Sequence, residues 1–274
     1  MKRYLDIKRE FEKSCLEQNK DSSVFKDALS FVLNIPFNKV YFHLDDICDL
    51  KNERWLNKIF KRYLEGESFQ YILGYTYFNN LKIKVNKNVL IPRFETEELV
   101  EWVLKDHKED KLSVIDIGTG SGCIALAIKN KRPSWCVYGL DISKRALKVA
   151  KDNASNLNLD VDFQYGDFLK DCHLKFDVLI SNPPYIFKMD KDIDLEVLNN
   201  EPKKALLVND KEGLYAYKKI LKSLKTYDFK EAYFEFGYQQ KEALVRLLRK
   251  LNYPHYEFKT DIAGHDRFLK VYKS

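Results

Sequence analysis

The tetrapeptide Asn182-Pro183-Pro184-Tyr185 follows directly on the apolar run FDVLIS. Adjacent prolines neither donate backbone hydrogen bonds nor continue a helix, so the run must end in a stiff loop. The side-chain carbonyl of Asn182 and the backbone carbonyl of Pro183 then become two acceptors held in place, with the flat face of Tyr185 beside them. Two fixed acceptors and a ring suit a planar group that bears an NH2. Asn-Pro is also an ordinary turn starter. The second proline and the aromatic at a strand end favour binding over a plain turn.

Three more spots stand in the same relation to a strand. In VIDIGTGSG, Gly118, Gly120 and Gly122 alternate with Thr119 and Ser121 where a strand gives way to a helix. Glycines there let the backbone turn tightly and approach a ligand. A dinucleotide fingerprint needs its third glycine at the position of Cys123, and the Gly-Lys-Ser/Thr of a phosphate loop is missing. The loop reads as the seat of a nucleoside without phosphates, such as S-adenosylmethionine. Asp141 closes VYGLD, about twenty residues further on, where an acid can accept from both ribose hydroxyls. Taken alone it is as well explained as a helix cap. Gly166-Asp167-Phe168 pairs an acid with an aromatic, able to meet the edge and the face of adenine. Alone it reads as a turn with an exposed acid.

These spots converge only if the elements carrying them form one sheet. From Leu112 onward strands and helices alternate: LSVIDI, SWCVYGL, VDFQY, FDVLIS and EAYFEF as strands, with helices between them. That pattern predicts a mostly parallel sheet covered on both faces, whose strand ends form a shared crevice. HYEFKTDI and RFLKVYK are expected to pair antiparallel at one edge. The helix SKRALKVAKDNASNL takes Ser143 as its cap, and GLYAYKKILKSLKTY shows an apolar face of Leu214, Tyr217, Ile220 or Leu221, and Leu224.

The region before this is different. Residues 1–75 read as helical, 76–91 as a β-hairpin linker turning at Asn79-Asn80, and 92–274 as the α/β domain. VFKDALSFVLN spaces Val24, Ala28, Phe31 and Val32 along a helix, with Ser22 and Ser23 as candidate caps. ERWLNKIFKRYLEG repeats the pattern with Trp55, Ile59, Phe60 and Tyr63 and stops at Gly66. Glu95, Glu97 and Glu98 suit the positive end of another helix.

Bulk properties narrow the functional classes. The net charge of +6 arises from 47 basic and 41 acidic residues spread along the chain. A nucleic-acid-coating protein would show a larger, clustered excess, so no stable nucleic-acid binding is expected. No apolar stretch is long enough to span a membrane. The N-terminal segment lacks an apolar signal core. The odd count of 5 cysteines, with no C-x-x-C pair, argues against disulfides and zinc and for reduced thiols in the cytoplasm. Those in GCIALAI and SWCVYGL are expected to be small core side chains.

With these residues assembled, the chain resembles the class I S-adenosylmethionine-dependent methyltransferases, and within them the release factor glutamine methyltransferases. QYILG, LIPRFETEELV, IDIGTGSGCIALA, DISKRALKVAKDNA, GDF, VLISNPPYI, EPKKAL, GLYAY, EFGYQQ and DIAGHDR all resemble family signatures, in family order. The resemblance departs at Ser68 and Phe94, where proline is common in the family. It implies a Rossmann-like catalytic domain behind a small helical module that docks the release factor. It implies methyl transfer from S-adenosylmethionine to the glutamine amide of the Gly-Gly-Gln loop, leaving S-adenosylhomocysteine, with no metal. The methionine part of the cofactor falls at Gly118, Thr119, Gly120, Ser121 and Gly122, the ribose at Asp141 and the adenine near Phe168. Asn182, also beside the cofactor, takes the substrate with Pro183, Pro184 and Tyr185. Arg93 and Glu95 are expected near the site. The alternative is an amino-methyltransferase acting on adenine or cytosine in nucleic acid, since similar tetrapeptides serve there.

Overall fold

In the computed structural model, residues 2–188, 198 and 200–273 are described. The chain divides into two compact units, Met1–Gly74 with Leu195–Asn200, and Tyr75–Asp194 with Glu201–Ser274.

The first unit is helical: α1 (Tyr4–Glu17), α2 (Val24–Leu33), a 3-10 segment (Phe37–His43), α3 (Leu50–Leu64) and α4 (Phe69–Leu73). Helix α1 buries Tyr4, Ile7, Phe11 and Cys15, one stripe at helical spacing. Its Phe11 stacks on Phe60 of α3 at 4.0 Å between centroids, and Phe25 of α2 joins at 5.5 Å from Phe60. The buried face of α2 is Phe25, Ala28 and Leu29, so the expected stripe holds only at Ala28; Phe31 is exposed and Val24 and Val32 are half-buried. VFKDALSFVL is apolar on more than one side, and packing against α3 selects the side. Ser23 holds the cap position without a capping bond; its N–H and hydroxyl both donate to Asp21, at 2.8 and 2.6 Å. Helix α3 starts earlier than expected because Asp49 caps it, accepting from the Asn52 N–H at 2.8 Å. Trp55 lies on its exposed side, and Gly66 follows its end at φ +93°.

The second unit opens with a hairpin, β1 (Tyr75–Phe78) and β2 (Leu81–Lys84). Asn79 and Asn80 turn it at φ 47° and 64°, the doubly left-handed turn that matches strand twist. Next come α5 (Phe94–Asp106), β3 (Ser113–Ile117), α6 (Cys123–Lys131), β4 (Cys136–Asp141), α7 (Lys144–Leu157), β5 (Asp162–Tyr165) and β6 (Val178–Ser181). Two short strands, β7 (Ile186–Phe187) and β8 (Leu207–Val208), pair with each other, and a helical turn at Lys203–Leu206 precedes β8. The unit closes with α8 (Tyr215–Leu224), β9 (Glu231–Glu235), α9 (Lys241–Lys250), β10 (Tyr256–Thr260) and β11 (Asp266–Tyr272). Asn153 of α7 holds the hairpin, accepting from the Lys84 N–H at 2.8 Å and donating to its carbonyl at 3.0 Å.

The seven-stranded sheet runs β10-β11-β9-β6-β3-β4-β5. The strands from β9 to β5 are parallel; β11 runs against both β9 and β10 at the edge. This is the expected α/β architecture with an antiparallel edge behind a helical region. Val114 to Ile117 of β3 are all buried, as befits a central strand covered on both faces. Helix α8 buries Leu214 at its cap, then Tyr217, Ile220, Leu221 and Leu224, using both alternatives offered by its sequence. Cys123 is buried as expected, but Cys136 is exposed: it begins β4, and the strand's alternation turns it outward. The chain leaves β3 toward β4 and β5, then returns to β6 on the other side. The order therefore reverses between β3 and β6, which opens a crevice at their carboxyl ends.

Candidate active site

Each expected site residue in this unit comes from a strand end on that crevice. After β3, the N–H groups of Gly118 and Thr119 both donate to the Leu140 carbonyl, at 2.8 and 2.9 Å, so the loop folds back over the end of β4. Gly120 sits at φ +56°, and a Cβ there would meet nothing nearer than a backbone oxygen at 3.9 Å. Conformation rather than crowding demands glycine at this point, and the space above it is open. Gly122 is different: its Cβ would lie 2.9 Å from Phe163, so close packing of loop, helix and strand excludes a side chain.

Asp141 lies beside this loop at the end of β4. Its carboxylate accepts from the Gly120 N–H at 2.9 Å and from the Ser143 N–H at 2.7 Å, locking it to the glycine loop. Burial raises its pKa, and those two bonds oppose the rise. The Ser143 hydroxyl in turn accepts from the Ala146 N–H at 3.2 Å and caps α7. The Gly166 N–H donates to the Asp141 carbonyl at 3.1 Å, bringing the turn after β5 alongside. In that turn Phe168 takes φ +53° and meets Tyr215 edge-on at 6.4 Å.

On the other side, the Ser181 hydroxyl donates to the Ile117 carbonyl at 2.6 Å, which joins the end of β6 to the end of β3. Asn182 through Tyr185 follow without regular structure. The Tyr185 carbonyl accepts from Gln240 Nε2 at 3.0 Å, while Gln240 Oε1 accepts from the Gly237 N–H at 3.0 Å. Gly213 and Gly237 leave room for this clasp; a Cβ on Gly213 would fall 2.1 Å from Gln240 Nε2. Burial, and after it the charge of Glu235, pushes the Tyr185 phenol above its ordinary range; Glu95 also raises it, while Arg267 and Arg93 oppose. Arg93 and Glu95 thus lie within electrostatic reach of Tyr185. Arg93 also pairs with the buried Glu201, whose carboxylate accepts from the Ile91 N–H at 3.2 Å. His265 lies on the turn between the edge strands, half exposed, and pairs with Asp261.

Three buried polar residues beside these loops escaped the reading of the sequence. Asp116, inside β3, is fully buried; its Oδ2 accepts from the Thr119 hydroxyl at 2.6 Å and its Oδ1 has no hydrogen-bond partner. Burial pushes its pKa up to about 7 against the Thr119 bond, with Asp141 adding to the rise. The nearby Ala125 amide eases its charge without closing a hydrogen bond to Oδ1. Glu235, at the end of β9, is 2% exposed, and Thr96, in the first turn of α5, is 3% exposed. The Thr96 hydroxyl donates to Glu235 Oε2 at 2.7 Å and accepts from Asn182 Nδ2 at 3.0 Å. Register explains the meeting: Ser181 pairs with Phe234 in the parallel ladder, so Asn182 and Glu235 come next, side by side. The available signal was an acid set in or ending an otherwise apolar strand, SVIDI and EAYFE.

The site fits the cofactor anticipated from its sequence. The orphan Asp116 oxygen is an acceptor for a cation, the glycine loop leaves open space, and the Asp141 oxygens retain lone pairs for hydroxyls. Among the described residues no group of three or more His, Cys, Asp or Glu side chains could hold a metal, and no helix is long and apolar enough to cross a membrane.

Comparison with known proteins agrees. Residues 95–213 match the family model "Methyltransferase small domain". The release factor glutamine methyltransferase of Streptococcus pneumoniae is 37% identical over 271 residues, 95% of each chain. Its counterparts in Flavobacterium psychrophilum, 40% identical over 76% of each chain, and Bacillus cereus, 35% identical over 92% of this chain and 93% of that one, are similar. Among solved structures, the ribosomal protein L11 methylase of Lactobacillus delbrueckii superposes with a TM-score of 0.50 at 20% identity, covering 70% of this chain and 85% of that one. The N-terminal domain of human METTL16 in complex with SAH gives 0.51 at 17% identity, covering 70% and 75%. At such identity they speak for the fold.

Proposed function

Because the chain belongs to the release factor glutamine methyltransferases, we propose that it transfers the methyl group of S-adenosylmethionine to the side-chain amide nitrogen of the glutamine in a release factor's Gly-Gly-Gln loop. The observation that carries this reading is Asn182: its Nδ2 turns toward Thr96 and the Glu235 carboxylate beside it, so its carbonyl is left to accept from a substrate NH2. The nucleic-acid alternative is not favoured, since a relative matching 95% of the chain bears the release factor name.

When bound, S-adenosylmethionine supplies an electrophilic methyl carbon. Gly118 to Gly122 would cradle its methionine part, the orphan Asp116 oxygen would receive the ammonium, Asp141 the ribose hydroxyls, and Phe168 the adenine. The substrate nitrogen is a poor nucleophile, because its lone pair is delocalised into the carbonyl. Asn182 Oδ1 and the Pro183 carbonyl accept its two N–H bonds, align the nitrogen and stabilise the positive charge that grows on it. Orientation of this kind contributes roughly 7–11 kcal/mol in favourable systems. The proton leaves afterwards to water. Pro184 keeps the loop stiff and Tyr185, held through its carbonyl by Gln240, walls the pocket. A glutamate would set acceptor against acceptor, a mismatch that gives discrimination on the order of ten-thousand-fold.

No step calls for a metal. The reaction belongs in the cytoplasm, where release factors act. Residues 1–75 would dock the release factor, offering exposed apolar side chains such as Phe42, Ile47 and Leu50; the hairpin 76–91 and the domain 92–274 complete the enzyme. Radiolabelled S-adenosylmethionine incubated with the protein and either a release factor or DNA tests the reading. Label on the release factor is expected; label on DNA, or none, would refute it.

A further inference from the structure

The Asn182 amide can stand in two directions related by a half turn, and only one offers an oxygen to a substrate NH2. We propose that Thr96 and Glu235 are positioning residues that fix this direction, and through it the preference for an amide over a carboxylate substrate. The proposal rests on Asn182 as the substrate's acceptor.

The Thr96 hydroxyl owns a single proton. It lies 2.7 Å from Glu235 Oε2 and 3.0 Å from Asn182 Nδ2. An ionised carboxylate accepts and cannot donate. With Glu235 ionised, Thr96 gives its proton to that carboxylate, and only its lone pairs remain for Asn182. Nδ2 turns to meet them, and Oδ1 turns away from Thr96. The polarity of the chain is set at one end, by a carboxylate that itself touches no substrate. Both positioning residues are nearly sealed from solvent, at 3% and 2% exposure, so water does not readily stand in for either. Three separate elements supply the three groups: the first turn of α5, the end of β6 and the end of β9. A valine at position 96 would fill the same space and remove both bonds. The amide would then keep only the neighbouring Glu235 carboxylate as a guide, and each turn that shows its NH2 to the pocket sets donor against donor for glutamine and donor toward acceptor for glutamate.

The test compares wild type, Thr96→Val and Thr96→Ser with a release factor as substrate. The same factor, with its loop glutamine changed to glutamate, serves as competitor, and calorimetry measures S-adenosylmethionine binding. Thr96→Val should bind S-adenosylmethionine as wild type does and lose kcat/KM on the order of a hundredfold, the scale for removing one oriented polar contact. The glutamate competitor should inhibit it about tenfold better than it inhibits wild type, a gain of one charge-assisted bond. Thr96→Ser, which restores the hydroxyl, should stay within about threefold of wild type. Should the valine variant fail to bind S-adenosylmethionine, the serine variant decides: retention supports the proposal and a loss above about tenfold overturns it. Equal losses in both variants, a valine variant as active as wild type, or lost activity without better inhibition by the competitor would each overturn it. If wild type leaves the release factor unmethylated, the underlying reading fails instead.

Discussion

Two buried carboxylates, Asp116 within β3 and Glu235 at the end of β9, each accept from a threonine. Asp116 takes the hydroxyl of Thr119 at 2.6 Å, and Glu235 that of Thr96 at 2.7 Å. Burial lifts both to a pKa of about 7. Beyond that they diverge. Asp116 keeps an oxygen without a partner, whereas the Glu235 pair continues into Asn182. In the proposed reading the same local chemistry serves as a ligand in one place and as a director of another residue's amide in the other. An acid with an unspent acceptor on the cofactor side is suited to a cation; an acid whose threonine is passed onward sets a hydrogen-bond direction.

The largest break in this comparison comes from Asn182→Ala. Methyl transfer should fall by roughly a hundred- to a thousandfold, while S-adenosylmethionine affinity, measured by calorimetry, stays near wild type. Asp116→Asn should do the opposite. Cofactor affinity should drop roughly ten- to a hundredfold, the value of a hydrogen bond to a charged group, with kcat at saturating cofactor little changed.

Next in size is a pH effect peculiar to the director. With Glu235 protonated, the chain through Thr96 can reverse and point Asn182 the wrong way. Burial raises Glu235 from 4.5 to about 7; Thr96, Arg267 and Asn182 oppose the rise and Glu95 adds to it. The buried Tyr185, Tyr217 and Cys123 also lie within its electrostatic reach. The group is ionised above its pKa, so kcat at saturating S-adenosylmethionine should rise with pH through about 7. Glu235→Gln should flatten the profile. The smallest effect is expected from Gln240→Ala, which frees the Tyr185 carbonyl: a loss of about three- to tenfold in kcat/KM, the net value of one neutral hydrogen bond, without a shift in cofactor affinity.

The loops at the strand ends and the buried acids behind them were not equally legible in the sequence. Glycines, paired prolines and a cap such as Ser143 act on the backbone of their own segment, so their meaning is local and survives without a fold. The strand ends at Gly118, Asp141, Phe168 and Asn182 were readable for that reason. The contact between Thr96 and Glu235 spans 139 residues and depends on the parallel register of β6 with β9. Neither residue type announces such a bond. In the helical unit, VFKDALSFVL offers two apolar faces, and only packing against Phe60 chose Phe25 over Phe31. Cys136 shows the same limit: apolar neighbours said core, but its place at the start of β4 turned it out.

The most direct measurement is tandem mass spectrometry of the release factor's loop peptide after reaction with S-adenosylmethionine. The account predicts a gain of one methyl group on the side-chain nitrogen of the Gly-Gly-Gln glutamine with wild type, and next to none with Asn182→Ala. A methyl group elsewhere in the factor, or equal methylation by the two proteins, would contradict it.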